Sequence, residues 1–350
     1  MSNWLSGLLR RDVKTAVTSR LVSLAAERLP GWVPRSLPAQ IQAGYARNAV
    51  ANRCVRLIAE AAASLPFSAS DRAAQRLLNR PNADQSGPEL WESLYGYLQL
   101  AGNAYLELVS LESEPRELYP LRPDRMRVLA DAAGWPMGWE YSVAGRRRRF
   151  ERDRASGRSP VFHMRLFHPG DDQYGLSPLE PAGRALDLHT LGADWARALL
   201  ENAARPSGAL VFSGADGQLS EEQFERLKAE LIGGHTGPGN VGRPLLLEGG
   251  LDWKPMAMSP AEMDFIQARR EAAREIALAF GVPPLLLGLP GDNTYSNYRE
   301  ANLAFWRQTV LPLARKTARA LEVWLQPWFG EDLGVEVEEG AVPLPPEDLS

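Results

Sequence analysis

DFIQARREAAREIALAFGVPPLLLGLPGDNTYSNYREAN, residues 264–302, is the stretch that decides the fold of this chain. A charged amphipathic helix runs through it to Phe280. Gly281 and the pair Pro283–Pro284 stop that helix, because glycine supplies a left-handed cap and proline has no N–H to donate. A short apolar run and a turn-rich loop at Pro290–Asn293 follow. A second helix then starts with Asn297 as its cap and Glu300 three residues on. The stretch reads as two long helices joined by a loop that cannot be helical. It holds no catalytic residue set.

Working outward, the first helix begins at Ser259-Pro260-Ala261-Glu262, a capping sequence. The second runs toward Trp328, with Trp306, Val310, Leu313, Thr317, Leu321, Trp324 and Trp328 on one face. Pro312 should kink it. Upstream, Ser177-Pro178 with Glu180 opens another long helix to about Ala204, roughly 40 Å at 1.5 Å per residue. Between these helices the pattern changes. Ala209–Phe212, Pro244–Glu248 and Trp253–Met258 read as strands, Ser220–Ile232 as a helix capped by Ser220 and Gln223, and Gly233–Gly242 as a glycine-rich loop. This is a small α/β insert between two long helices.

Residues 45–65 form a helix with Val50, Cys54, Leu57, Ile58, Ala61 and Leu65 on one stripe, ended by Pro66. Ser86 and Glu89 make a capping box for a helix to about Ala101. Strands are expected at Ala104–Val109, Arg125–Leu129, Trp139–Val143 and Val161–Phe167, with turns at Gly134 and Gly145. The region from about 40 to 178 is α+β with an antiparallel sheet, and α+β is the expected class of the whole.

The 350 residues can bury a sizeable core. Composition is that of a globular protein, with 45% hydrophobic and 23% charged residues. No apolar run reaches the length of a membrane span, and Trp4–Leu9 is too interrupted for a secretory signal. Residues 3–30 are amphipathic and basic-leaning: a peripheral arm, or a helix lying on a membrane surface. The single cysteine, Cys54, excludes an internal disulfide and reads as core. The formal charge of −4 argues against a protein that grips nucleic acid through excess cations.

Catalytic motifs are missing. There is no Walker-type phosphate loop, no H-E-x-x-H pair and no G-x-S-x-G elbow. Pro123-Asp124 suggests a metal-dependent nuclease, but Glu140 is followed by Tyr141 and Ser142 without the lysine such a site needs. His163 and His168 straddle a strand end without the spacing of a helical metal pair, and no cofactor is expected. Arg146–Arg149 reads as a phosphate contact or, preferably, a solvated hairpin tip balanced by Glu151 and Asp153.

Seven pieces then line up in order: Asn48–Pro66 (NAVANRCVRLIAEAAASLP), Leu77–Asn82 (LLNRPN), Gly102–Tyr105 (GNAY), Leu118–Pro123 (LYPLRP), Tyr174–Leu179 (YGLSPL), Asn202–Gly208 (NAARPSG) and Ile276–Asn297. In these the chain resembles the portal proteins of tailed double-stranded DNA phages, of the lambdoid long-tailed type also found in prophages and gene transfer agents. The resemblance implies a homo-oligomeric, dodecameric ring at one capsid vertex. That ring is the channel for double-stranded DNA and the dock for the terminase large subunit and head–tail adaptors. It is seated in the major capsid protein, with no membrane and no enzymatic activity.

It also implies a division of the chain. Residues 1–39 would be an N-terminal arm, 40–177 the wing, 178–205 and 259–281 the two stem helices and 206–258 the clip. Residues 282–296 would be the tunnel loop, 297–330 a helix returning to the wing and 331–350 a short tail where relatives carry a crown. Asp292, Asn293 and Thr294 would face DNA from the loop, unless they are plain turn residues. Asp187, Asp194, Glu201, Glu262 and Asp264 are candidates for the lumen, or else for a solvated flank or ion pairs. The alternative function is a phage-encoded nuclease.

Overall fold

Antiparallel pairing and helix caps account for most of the architecture. The computed structural model describes residues 37–132, 134–201, 208–212, 220–235, 251–255, 265–289 and 295–343. After a helical turn at Leu37–Ala46, α1 (Ala49–Ala63) starts at Asn48, whose Oδ1 accepts from the backbone N–H of Val50 and Ala51 at 3.1 and 3.2 Å. Its buried face is rotated from the expected stripe. Ala51, Val55, Ala59 and Ala62 are buried beside Cys54 and Ile58, while Val50, Leu57 and Ala61 stay half-buried. The small residues turn inward because other helices pack closely against α1.

β1 (Phe67–Ala69) and α2 (Arg72–Asn79) follow, the helix capped by Asp71 accepting from Ala73 and Ala74 at 2.8 Å each. In α3 (Gly87–Ala101) Glu89 reaches back as expected, accepting the Ser86 N–H at 2.7 Å. β2 (Asn103–Leu111) forms the middle of an antiparallel sheet, flanked by β3 (Glu114–Leu121). A second antiparallel sheet is β4 (Met126–Ala130), β5 (Pro136–Val143) and β6 (Arg146–Glu151). β7 (Val161–Arg165) completes the first sheet on the other side of β2. The two sheets share a small core of Tyr105, Leu121, Val128, Trp139, Phe150 and Val161. β3 and β6 were not anticipated as strands: β3 is punctuated by Pro115 and Pro120, and β6 carries four consecutive arginines.

α4 (Leu179–Glu201) is about 35 Å long at 1.5 Å per residue. Ser177 caps it as expected, its Oγ accepting from Leu179 N at 3.1 Å. β8 (Gly208–Phe212) and, later, β9 (Leu251–Pro255) pair antiparallel with Leu210 opposite Trp253. α5 (Glu221–His235) lies between them, and Ser220 and Gln223 form the reciprocal cap, at 3.2 and 2.9 Å. This helix continues three residues past Ile232, through the start of the expected glycine loop. The expected strand at 244–248 and the cap at 259–262 lie outside the described residues.

α6 (Phe265–Phe280) stops where the sequence says it must. Gly281 takes φ +66°, and Val282 N donates back to Ala277 O at 2.9 Å. A short 3-10 turn, Pro284–Leu287, follows. α7 (Tyr295–Phe305) already includes Asn297, so Asn297 is not the cap. The residues immediately before Tyr295 lie outside the described ones. A π-helical turn at Trp306–Val310 then leads into α8 (Leu311–Phe329). Pro312 follows this wide turn inside a helix that stays right-handed through Val310 and Leu311, so the π-turn is the irregularity expected at a proline without an N–H. The expected apolar face holds: Trp306, Val310, Thr317, Leu321 and Trp324 are buried, Leu313 and Trp328 half-buried. β10 (Val335–Val337) returns to pair with β1, Phe67 opposite Val337.

Candidate functional site

Two features organise the molecule: a glycine–asparagine junction at the base of α4, and the helix pair α4–α6. At the junction Gly102, φ +69°, and Gly175 lie back to back. A Cβ on Gly102 would sit 2.3 Å from Gly175 O, and one on Gly175 2.1 Å from Gly102 O. Asn103, 5% exposed, holds the two segments. Its Oδ1 accepts from Gly175 N at 2.9 Å and faces His163 Nε2 at 3.1 Å. Its Nδ2 donates to Ala101 O at 2.8 Å and Gly175 O at 3.3 Å. Ser177 Oγ donates to Gln99 O at 2.9 Å, and Tyr174 Oη accepts from Val128 N at 2.9 Å. The motifs GNAY and YGLSPL are therefore two halves of one joint at the base of α4.

α4 and α6 pack against each other. Their buried faces are rich in alanine (Ala182, Ala185, Ala272, Ala273, Ala277), which lets the backbones approach closely. The start of α1 is tied to α4 by Asn48 Nδ2, 3.2 Å from His189 Nδ1. Burial, and secondarily the charge of Arg269 on α6, depresses the His189 pKa. The outer faces carry Arg184, Arg197, Arg270, Glu271 and Glu275 together with Leu188 and Leu278, 46% and 79% exposed. Leu188 and Leu278 are single exposed leucines set among charged residues on the two helices.

Asp187 is half-buried and Asp194 exposed on α4; Glu201 lies in its last turn. Glu262, Asp264, Asp292, Asn293 and Thr294 lie outside the described residues.

The four arginines are not balanced as the sequence reading had it. Arg148 pairs with Glu107 at 2.7 Å, and Arg147 and Arg149 approach Glu140 at 3.8 and 3.3 Å. Glu151 and Asp153 are not their partners; Asp153 instead accepts from Ala155 N at 2.9 Å. The signal for the true pairing is strand register, which sets Glu140 opposite Arg149. His163 stacks on Tyr105 at 4.2 Å between ring centres, and burial, with Arg165 adding to it, lowers its pKa to about 3. Among the described residues, no three His, Cys, Asp or Glu side chains gather to hold a metal. No described helix is long and apolar enough to cross a membrane.

Comparison with known proteins names the class that this arrangement defines. The family model "Phage portal protein" matches residues 49–342, and the chain belongs to that family. A chain in the neck of a native gene transfer agent particle, computed with C12 symmetry, is 50% identical. That likeness covers 89% of this chain and 86% of the other, with a TM-score of 0.68. An uncharacterized protein of Rickettsia bellii is 40% identical over 307 residues, 85% of this chain and 79% of the relative. The portal protein of Enterobacteria phage HK97 is 25% identical over 303 residues, 81% of this chain and 67% of that one.

Proposed function

We propose that this chain is the portal subunit of a tailed phage-like or gene transfer agent particle, closing into a twelve-membered ring at one capsid vertex. Double-stranded DNA passes through the ring on packaging and ejection. The outward end of the ring receives the terminase large subunit and then head–tail adaptors, and its rim sits in the major capsid protein. The observation that carries the reading is the alanine-packed pair α4–α6. It springs from a rigid joint, brackets a strand-closed insert and leaves leucines exposed on its outer faces, in a chain half identical to one in a twelvefold neck.

In this assignment residues 40–177 and 297–330 are the wing, 178–205 and 259–281 the stem, 206–258 the clip and 282–296 the tunnel loop. The β8–β9 pairing supports the clip boundary, because it closes the insert at its neck. Transport needs repulsion rather than grip. Each chain carries a formal charge of −4, so a ring of twelve carries about 48 negative charges, which centre a duplex. Asp187, Asp194, Glu201, Glu262 and Asp264, with Asp292–Thr294 at the tunnel, are the side chains assigned to that lumen. The chain is a conduit and not an enzyme.

Electron microscopy of the purified full chain tests this: rings with a central hole are expected. A monodisperse monomer at high concentration would overturn it. Cleavage of plasmid in Mg²⁺ or Mn²⁺ would overturn the non-enzymatic part.

A further inference from the structure

The arginine strand is the feature the conduit reading leaves unused. Residues 122–158 hold ten arginines against five acids, in a chain whose net charge is −4. β6 is the outer strand of its sheet, and Arg147, Arg148 and Arg149 keep 68%, 65% and 67% of their side chains exposed. Arg147 and Arg149 share the one carboxylate of Glu140, while Arg127 and Arg146 have no carboxylate partner among the described residues.

The opposite imbalance follows α8. Residues 331–350 hold seven acids and no lysine or arginine. Glu331, Asp332, Glu336 and Glu338 are exposed and have no cationic partner among the described residues. Glu339 shows what such a partner looks like, with Arg315 bound at 2.6 and 2.7 Å. β10 is held against β1 and β6 against β5, so each patch is fixed on its own sheet.

We infer that the arginine strand of one protomer docks on the acidic segment 331–338 of the next copy around the ring. The inference rests on the ring proposed above. A ring of identical chains is heterologous: every protomer must present two different, mutually complementary surfaces. One chain carrying a cationic ribbon with more arginines than carboxylates to meet them, and an anionic edge without cations, meets that requirement with complementary charge. The occupant is a second copy rather than DNA, because three of the four arginines are already turned toward carboxylates, the group the acidic edge offers.

The test is ring formation by the full-length chain, followed by mass photometry at about 50 mM and about 500 mM salt. Arg146→Glu with Arg147→Glu, and separately Glu336→Arg with Glu338→Arg, should each weaken assembly at least tenfold at low salt. The gap should narrow at high salt, and a chain carrying all four changes should regain rings. All four positions are exposed, and circular dichroism checks folding; Arg146→Gln with Arg147→Gln replaces the reversal if that variant unfolds. Rings at wild-type level in either double variant would overturn the inference, as would a fourfold variant no better than the worse double. Loss of duplex binding in a gel shift, with rings intact, would make the ribbon a DNA surface and overturn it equally. Failure of the unaltered chain to form rings refutes the proposed function instead.

Discussion

Replacing Asn103 by alanine should be among the most damaging single truncations in this molecule. The side chain is 5% exposed and engages Ala101 O, Gly175 O, Gly175 N and His163 Nε2 at 2.8, 3.3, 2.9 and 3.1 Å. Alanine leaves the buried Gly175 N–H and the His163 ring without their acceptor. A stranded buried polar group costs about 1–3 kcal/mol, so the loss should be about 3–5 kcal/mol. That is a large part of an ordinary stability of about 5–15 kcal/mol.

Ser177→Ala at the same joint removes a cap and one bond to Gln99 O, and should cost about 1–2 kcal/mol. Urea titrations followed by far-ultraviolet circular dichroism would rank the two variants against the parent. A loss below about 1 kcal/mol for Asn103→Ala would refute the reasoning, as would a Ser177→Ala variant that is the less stable of the two.

Three further outcomes follow from single side chains. Cys54 is fully buried, and burial pushes its thiol pKa up to about 12, so a thiol reagent should label it only as the chain unfolds. His163 has a folded pKa of about 3, below its ordinary 6.5, so the unfolded chain binds the proton first. Its contribution is therefore complete above pH 6.5 and lost as pH falls toward 3; His163→Gln should flatten that slope in melts at stepped pH, leaving the smaller share of His189. Leu278→Asp, at a site 79% exposed, should leave the melting temperature within about 2 °C while reducing rings seen by electron microscopy. A drop in melting temperature with rings retained would mean that Leu278 serves the protomer fold and not its neighbour.

Much of the helical framework was readable residue by residue. The Ser86/Glu89 and Ser220/Gln223 caps, the Ser177 cap and the stop at Gly281 all formed as read, because each involves groups within a few residues of one another. The apolar face of α8 was legible for the same reason: period 3.6 is a local property. The Arg146–Arg149 pairing was not, because a strand of four arginines has no alternation to read and its partners come from β5 and β2. The buried face of α1 was legible in part: Cys54 and Ile58, with Leu65 just past its end, are buried as read, while Ala51, Val55, Ala59 and Ala62 join them because only close-packed neighbours reveal how far the crowded side extends.

Local order along the chain, then, was settled by amino-acid type: the caps at Ser86, Ser177 and Ser220 and the stop at Gly281, the α+β class, and the family kinship carried by motifs in sequence. Tertiary structure decided what those motifs do. GNAY and YGLSPL stand 72 residues apart at Asn103 and Gly175, and only folding shows that two glycines must touch there so that one asparagine can bond both strands of chain. Likewise β1 and β10 meet across nearly the whole described length, Phe67 with Val337. Contacts of that reach have no signature in a window of neighbouring residues, because the free energy that selects them comes from burial shared among distant segments.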